Sequence, residues 1–128
     1  GPDDPGVARA LNNLADLYER QEKYSEAEPL YKRSLAIREK ALGPDHLDVA
    51  YPLTFLALLY MRQGKYSEAE PLFQRLLVLW QNTRGPDDFA VAFCLKNLAA
   101  LYHKTGKHEE ALELLERVQK IQSMSESR

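Results

Sequence analysis

Few residues in this 128-residue chain have the chemistry to act on a substrate or hold a metal. There is one cysteine, Cys94, and there are three histidines, His46, His103 and His108. A thiolate nucleophile needs a base beside it, and Cys94 has no histidine or aspartate at a useful spacing. It falls on an apolar flank, which favours a buried apolar role over a reactive one. His103 and His108 are five residues apart with Gly106 between them. That spacing is wrong for one helical face, so no shared metal is expected. His46 follows Asp45 in a turn-like stretch and reads as a cap or junction residue. Trp80 lies in the apolar run Leu76–Trp80 and reads as core. No glycine-rich phosphate loop is present. Because no acid, base and nucleophile converge, the expectation is a non-enzyme without catalytic residues, cofactor or metal.

The elements that position these residues come from a repeat. Gly1-Pro2-Asp3 recurs as Gly43-Pro44-Asp45 and as Gly85-Pro86-Asp87, a period of 42 residues without insertion or deletion. Val7-Ala8, Leu11, Leu14-Ala15, Tyr18, Lys23 and Ala27 all have counterparts at the same period. Three repeats follow, 1–42, 43–84 and 85–126, read as one domain over 1–128. Within each, Leu11, Leu14, Ala15 and Tyr18 fall at i, i+3, i+4 and i+7, a helical stripe. Gly64-Lys65 and Gly106-Lys107 break that helix, whereas Gln21-Glu22-Lys23 fills the slot without glycine and should turn less comfortably. Ser25-Glu26-Ala27-Glu28 and Ser67-Glu68-Ala69-Glu70 fit a capping box that opens a second helix. Pro29 and Pro71 are then expected in its first turn, where proline is tolerated. The Gly-Pro-Asp turn ends this helix, and the next aspartate can cap the following one. Six helices and no strand are expected, with 123–128 frayed.

Leu14-Ala15, Tyr18, Lys23-Tyr24 and Glu26-Ala27 resemble the tetratricopeptide repeat. The 42-residue period, Leu42-Gly43-Pro44-Asp45-His46, Leu11-Asn12-Asn13-Leu14-Ala15 and Ala27-Glu28-Pro29-Leu30 are more closely similar to the repeats of kinesin light chain and nephrocystin-type proteins. The resemblance implies an all-α solenoid of three helix-turn-helix repeats. In such a right-handed superhelix the first helices line a concave groove that takes an extended peptide or a partner's helix.

Helical phase divides each first helix into three faces. Leu11, Leu14, Ala15 and Tyr18 should pack on the repeat's own second helix. Ala10 and Leu17, then Pro52 and Leu59, then Cys94 and Leu101 should meet the preceding repeat. The third face, the groove by resemblance, carries Arg9, Asn12, Asp16, Glu19 and Arg20 in repeat one. Its equivalents are Tyr51, Thr54, Leu58, Met61 and Arg62, then Phe93, Lys96, Ala100, His103 and Lys104. Arg9, Arg20, Arg62, Lys96 and Lys104 outnumber Asp16 and Glu19, five cations to two anions. A basic groove with aromatic and Met contacts suits an acidic peptide around an apolar anchor, seated between repeats two and three. The resemblance places an asparagine where peptide backbone or carboxylate is gripped. Asn12 matches, with Asn13 and Asn97 one residue further on, while Thr54-Phe55 and Lys96 depart.

Lys and Arg total 17 against 19 for Asp and Glu, a net charge of −2. This slight acidity argues against nucleic acid or an anionic membrane as partner. No apolar run approaches the ~20 residues of a membrane span, and no charged-then-apolar leader opens the sequence. A soluble cytoplasmic protein is expected. In repeat three Leu77 and Val78 are replaced by Gln119 and Lys120, so the last helix is expected to cap a longer array. Ala10 and Leu17 at the other end await a partner. The leading function is therefore an adaptor for a protein or peptide ligand. The alternative is an assembly segment that self-associates weakly through its uncapped first repeat.

Overall fold

The computed structural model describes residues 4–126. Gly1-Pro2-Asp3, the first copy of the recurring triplet, lies outside the described residues, as do Ser127 and Arg128. Six helices account for nearly all of the rest: α1 (Pro5–Arg20), α2 (Tyr24–Leu42), α3 (Ala50–Arg62), α4 (Tyr66–Arg84), α5 (Phe89–Lys104) and α6 (His108–Glu126). A 3-10 turn, Leu47–Val49, leads into α3, and no strand occurs among the described residues. The all-α architecture of three helix-turn-helix repeats is the one the period predicts. The chain divides into two compact units, the first ending at Lys65 and the second beginning at Tyr66.

In the first unit α1 meets α2 through small side chains. Ala8, Ala15 and Ala27 are fully buried, and the close approach lets the Ser34 hydroxyl donate to the Ala8 carbonyl at 2.9 Å. Tyr31 of α2 is also fully buried. Its hydroxyl donates to Glu19 at 2.9 Å, and its ring stacks on Phe55 of α3 at 5.9 Å between centroids. Leu53, Ala57 and Leu59 of α3 complete the interior.

In the second unit Val91, Ala92 and Leu95 of α5 pack against Val118 and Ile121 of α6, with Leu77, Trp80 and Leu114 closing over them. Trp80 is therefore a core side chain, as its apolar run predicts, and the Arg84 guanidinium lies 4.8 Å above its ring. Cys94 is buried, and burial pushes its thiol up to about 12. It stays protonated and inert at neutral pH.

The inter-helix turns repay attention to backbone angles. Gly64 and Gly106 adopt φ of 72° and 85°, and the Lys65 and Lys107 amides bond back to the carbonyls of Tyr60 and Tyr102 at 2.8 Å. Lys23 makes the same 2.8 Å bond to Tyr18. There Glu22 carries φ of 60°, the one positive φ outside glycine among the described residues. The glycine-free turn is thus built to the same plan against side-chain sterics.

Two details of the second helices differ from expectation. The tight turn restarts the helix at once, so α2 begins at Tyr24 with Lys23 as its cap residue and no side-chain cap. Ser25 already lies inside the helix and the capping box is not formed. Glu26 stands in the first turn instead, where its charge favours the positive end of the helix dipole. For the same reason Pro29 falls in the second turn rather than the first, and forfeits one helical hydrogen bond.

The first helices are capped as predicted in two repeats. Asp88 accepts from the Ala90 amide at 2.9 Å. His46, at the corresponding position, accepts from the Asp48 amide through Nδ1 at 3.1 Å. Helix α6 runs on through Glu126, past Ser123 where fraying is expected.

Candidate functional site

In the first unit Arg9, Tyr51 and Arg62 are exposed, and Asp16, Thr54, Leu58 and Met61 are half-buried. Asn12 and Glu19 are not on an open face. Asn12 is 2% exposed and Glu19 8%, in one buried stripe with Ala8 and Ala15 at i, i+4, i+7 and i+11. Leu14, assigned by phase to the interior, is 41% exposed. The cause is the side of α1 that α2 and α3 cover. Tyr31 donates to Glu19 from one helix and Arg62 pairs with it from the other, so a polar stripe is drawn inward. The amide nitrogen and oxygen of Asn12 have no hydrogen-bond partner, and neither reaches the surface. Asn12 is thus not a groove asparagine here.

What opens beside it is a cleft of about 620 Å³. Pro5, Gly6, Arg9 and Asn13 of α1 form one wall, Arg38 and Leu42 of α2 the other, and Leu47, Asp48 and Tyr51 the floor. The Arg38 guanidinium donates to the Asp48 carbonyl at 3.2 Å and lies 5.8 Å over the Tyr51 ring. That ring tilts onto Phe55 at 4.7 Å. Two guanidiniums and a carboxamide therefore stand beside leucine and aromatic surface. Such a cleft can take a carboxylate in charge-assisted bonds next to an apolar side chain. Asn13, Arg38 and Phe55 escape the phase argument. Arg38 sits on a second helix, and its counterparts Trp80 and Gln122 give the position no repeating chemistry.

A smaller hollow of about 210 Å³ holds Asp16, Glu19, Arg20, Tyr24, Phe55 and Arg62. Its charges cancel locally, with Arg20 to Asp16 at 3.0 Å and Arg62 to Glu19. Two of the five cations counted in the sequence are thereby neutralised. Thr54 bonds back to the Ala50 carbonyl at 2.7 Å, as a threonine within a helix commonly does.

In the second unit Phe93, Lys96, Ala100, His103 and Lys104 are all exposed on α5. Lys96, Ala100 and His103 share a cleft of about 470 Å³ with Ala99 and, from α6, His108, Ala111, Leu112 and Leu115. Phe93 and Lys104 do not line it. Asn97 turns its amide onto the Phe93 carbonyl at 2.9 Å. The sequence sets His103 and His108 apart, yet their Nδ1 atoms are 2.9 Å from each other. The left-handed turn at Gly106 folds the end of α5 against the start of α6, which no single-helix spacing rule registers.

Paired helices joined by tight turns, with exposed clefts beside the first helices, define a helix-turn-helix repeat protein of the α-solenoid class. Tetratricopeptide repeat models match residues 7–48 and 48–123, the latter more than half of the chain. The chain belongs to the tetratricopeptide repeat family, and its repeats are of the kinesin light chain type. BtubC (BKLC) from P. vanneervenii is similar with a TM-score of 0.87 and 25% identity, over 98% of this chain and 50% of that one. A kinesin light chain with nearly identical TPR-like repeats from Podosopora anserina gives 0.83 and 26%, over 100% and 60%. The TPR domain of Arabidopsis FLU, at 17% identity and a TM-score of 0.76 over 94% and 96%, shares the fold. The chain thus spans about half to three fifths of the length of the first two structures. No curated protein sequence matches it. Tetratricopeptide repeats mediate protein–protein interaction and are a scaffold rather than a catalytic type of fold. No described helix is long and apolar enough to cross a membrane.

Proposed function

We infer that the chain is a cytoplasmic, non-enzymatic adaptor that holds a short acidic segment of a partner protein around an apolar anchor. The observation that carries this reading is the cleft of the first unit, where Arg9 and Arg38 flank Tyr51, Leu42 and Leu47. The anchor side chain lies on Tyr51 and the leucines, and its acidic neighbours reach the guanidiniums and Asn13. Phe93, Lys96 and Lys104 offer a second exposed apolar and basic stretch on α5 to a longer ligand. Micromolar affinity, about −8 kcal/mol, is expected, since an extended peptide loses chain entropy on binding.

The test is a peptide-array screen with the wild type and a Tyr51→Ala, Arg9→Glu double variant. Acidic peptides bearing one bulky apolar residue should bind, and the double variant should lose them. Predominantly basic binders, or equal binding by the variant, would overturn the assignment.

The assembly reading has one observation behind it. Leu14 and Leu17 are 41% and 52% exposed, whereas their counterparts Leu56, Leu59, Leu98 and Leu101 are buried. A mass that rises with concentration, and stays constant in a Leu14→Glu, Leu17→Glu variant, would favour this reading.

A further inference from the structure

The histidine pair that joins the last two helices has no part in the peptide reading, and its geometry is that of a chelate. His103 closes α5 and His108 opens α6. Their Nδ1 atoms are 2.9 Å apart and their rings meet edge to face at 4.8 Å. Both side chains are exposed. The backbone between them is pinned by three short bonds: Thr105 amide to Leu101 carbonyl at 3.0 Å, Gly106 amide to His103 carbonyl at 3.3 Å, and Lys107 amide to Tyr102 carbonyl at 2.8 Å. The two imidazoles are therefore brought together before any ligand arrives.

We propose that His103 and His108 form a two-histidine site for a first-row divalent transition ion. A metal about 2.0–2.1 Å from each nitrogen sees two donors 2.9 Å apart at an angle of about 90°. That is the angle of neighbouring positions in a tetragonal or octahedral sphere, the preference of nickel(II) and copper(II). Without an ion, one ring donates its Nδ1–H to the lone pair of the other. On binding, that proton moves through solvent to the same ring's Nε2, both rings stay neutral, and both Nδ1 lone pairs reach the metal.

No set of three or more His, Cys, Asp and Glu side chains is placed to hold a metal among the described residues, so water completes the sphere. The ion is exchangeable and keeps open positions at the mouth of the α5–α6 cleft. Lys96 shares that cleft, and Lys104 and Lys107 flank the histidines. Lys107 turns away, 5.5 Å over the Tyr102 ring, and solvent screens the exposed ammonium groups. Glu109 and Glu110 in the first turn of α6 offset them.

The experiment is a calorimetric titration of the untagged chain with nickel(II) chloride, repeated with His103→Ala, His108→Ala and His46→Ala, and with magnesium chloride as a hard-ion control. One nickel per chain is expected, at least tenfold weaker in each of the first two variants, unchanged in the third, with no magnesium binding. Paramagnetic nickel should broaden the ring signals of His103 and His108 in the wild type and spare those of His46, a readout that needs no variant. Absence of binding, nickel binding undiminished in either variant, equal uptake of magnesium, or broadening centred on His46 would each overturn the proposal.

Discussion

Glu22 and Glu28 show how single side chains bear on stability in opposite senses. Glu22 occupies the slot that Gly64 and Gly106 fill elsewhere, at φ of 60°. A side chain in the left-handed region costs about 1–2 kcal/mol, and glycine returns about 0.5–1 kcal/mol of that through its looser unfolded chain. Glu22→Gly should therefore stabilise the protein by roughly 0.5–1 kcal/mol, seen as a higher midpoint in a denaturant melt. At Glu28, burial works against the charge. Hydrogen bonds and charge from Lys32 and Lys65, at 3.1 and 3.2 Å, outweigh it and hold the carboxyl below its ordinary value of 4.5. A carboxyl depressed in the folded state adds stability above its unfolded value, and this is lost as pH falls through the folded one. Below pH 4.5 the wild type should lose stability more steeply with acid than Glu28→Gln, a comparison made by chemical melts across pH.

Helices pack here by alternating small and large residues. Ala15, Ala57 and Ala99 hold one phase in all three repeats and are all buried. Ala57→Leu and Ala99→Leu should each cost roughly 1–3 kcal/mol through overpacking, measured as a loss of unfolding free energy. Both helix number and this alanine position are legible in the sequence, because a period held without insertion reports equivalent environments. The strained turn at Glu22 is legible for the same reason. Depth is not. Helical phase gives the direction in which Asn12 and Glu19 point, but whether a neighbour covers that direction depends on Tyr31 and Arg62, twelve and forty-three residues further along. A hydrophobic pattern cannot announce a buried stripe made of alanine, asparagine and glutamate. The histidine pair is hidden by a different cause, since a turn lies between residues whose spacing is judged as if on one helix. The capping box misleads because the serine that fits the motif stands two residues too late for a helix that restarts directly from the preceding turn.

Across the whole molecule the net charge is −2, yet Arg9 and Arg38 stand together at one cleft. An acidic peptide is then repelled by the molecule as a body and attracted at one place. Arg9→Glu should slow its association and flatten the salt dependence of the on-rate, because exposed charges act at a distance and are screened. Tyr51→Ala should instead hasten dissociation, because ring contacts exist only in the docked complex. Stopped-flow kinetics at two salt concentrations separates the two effects. The unbroken 42-residue spacing also has a meaning for inheritance. Gly43 and Gly85 end the second helices in the same backbone state, φ of 92° and 90°. A recombination event that joins the gene at corresponding codons of two repeats leaves every downstream residue in its own helical phase and every turn on its glycine. Copies can be gained or lost in one genetic step without a frame of packing to repair, so the length of such a protein is free to drift while its local architecture is inherited intact.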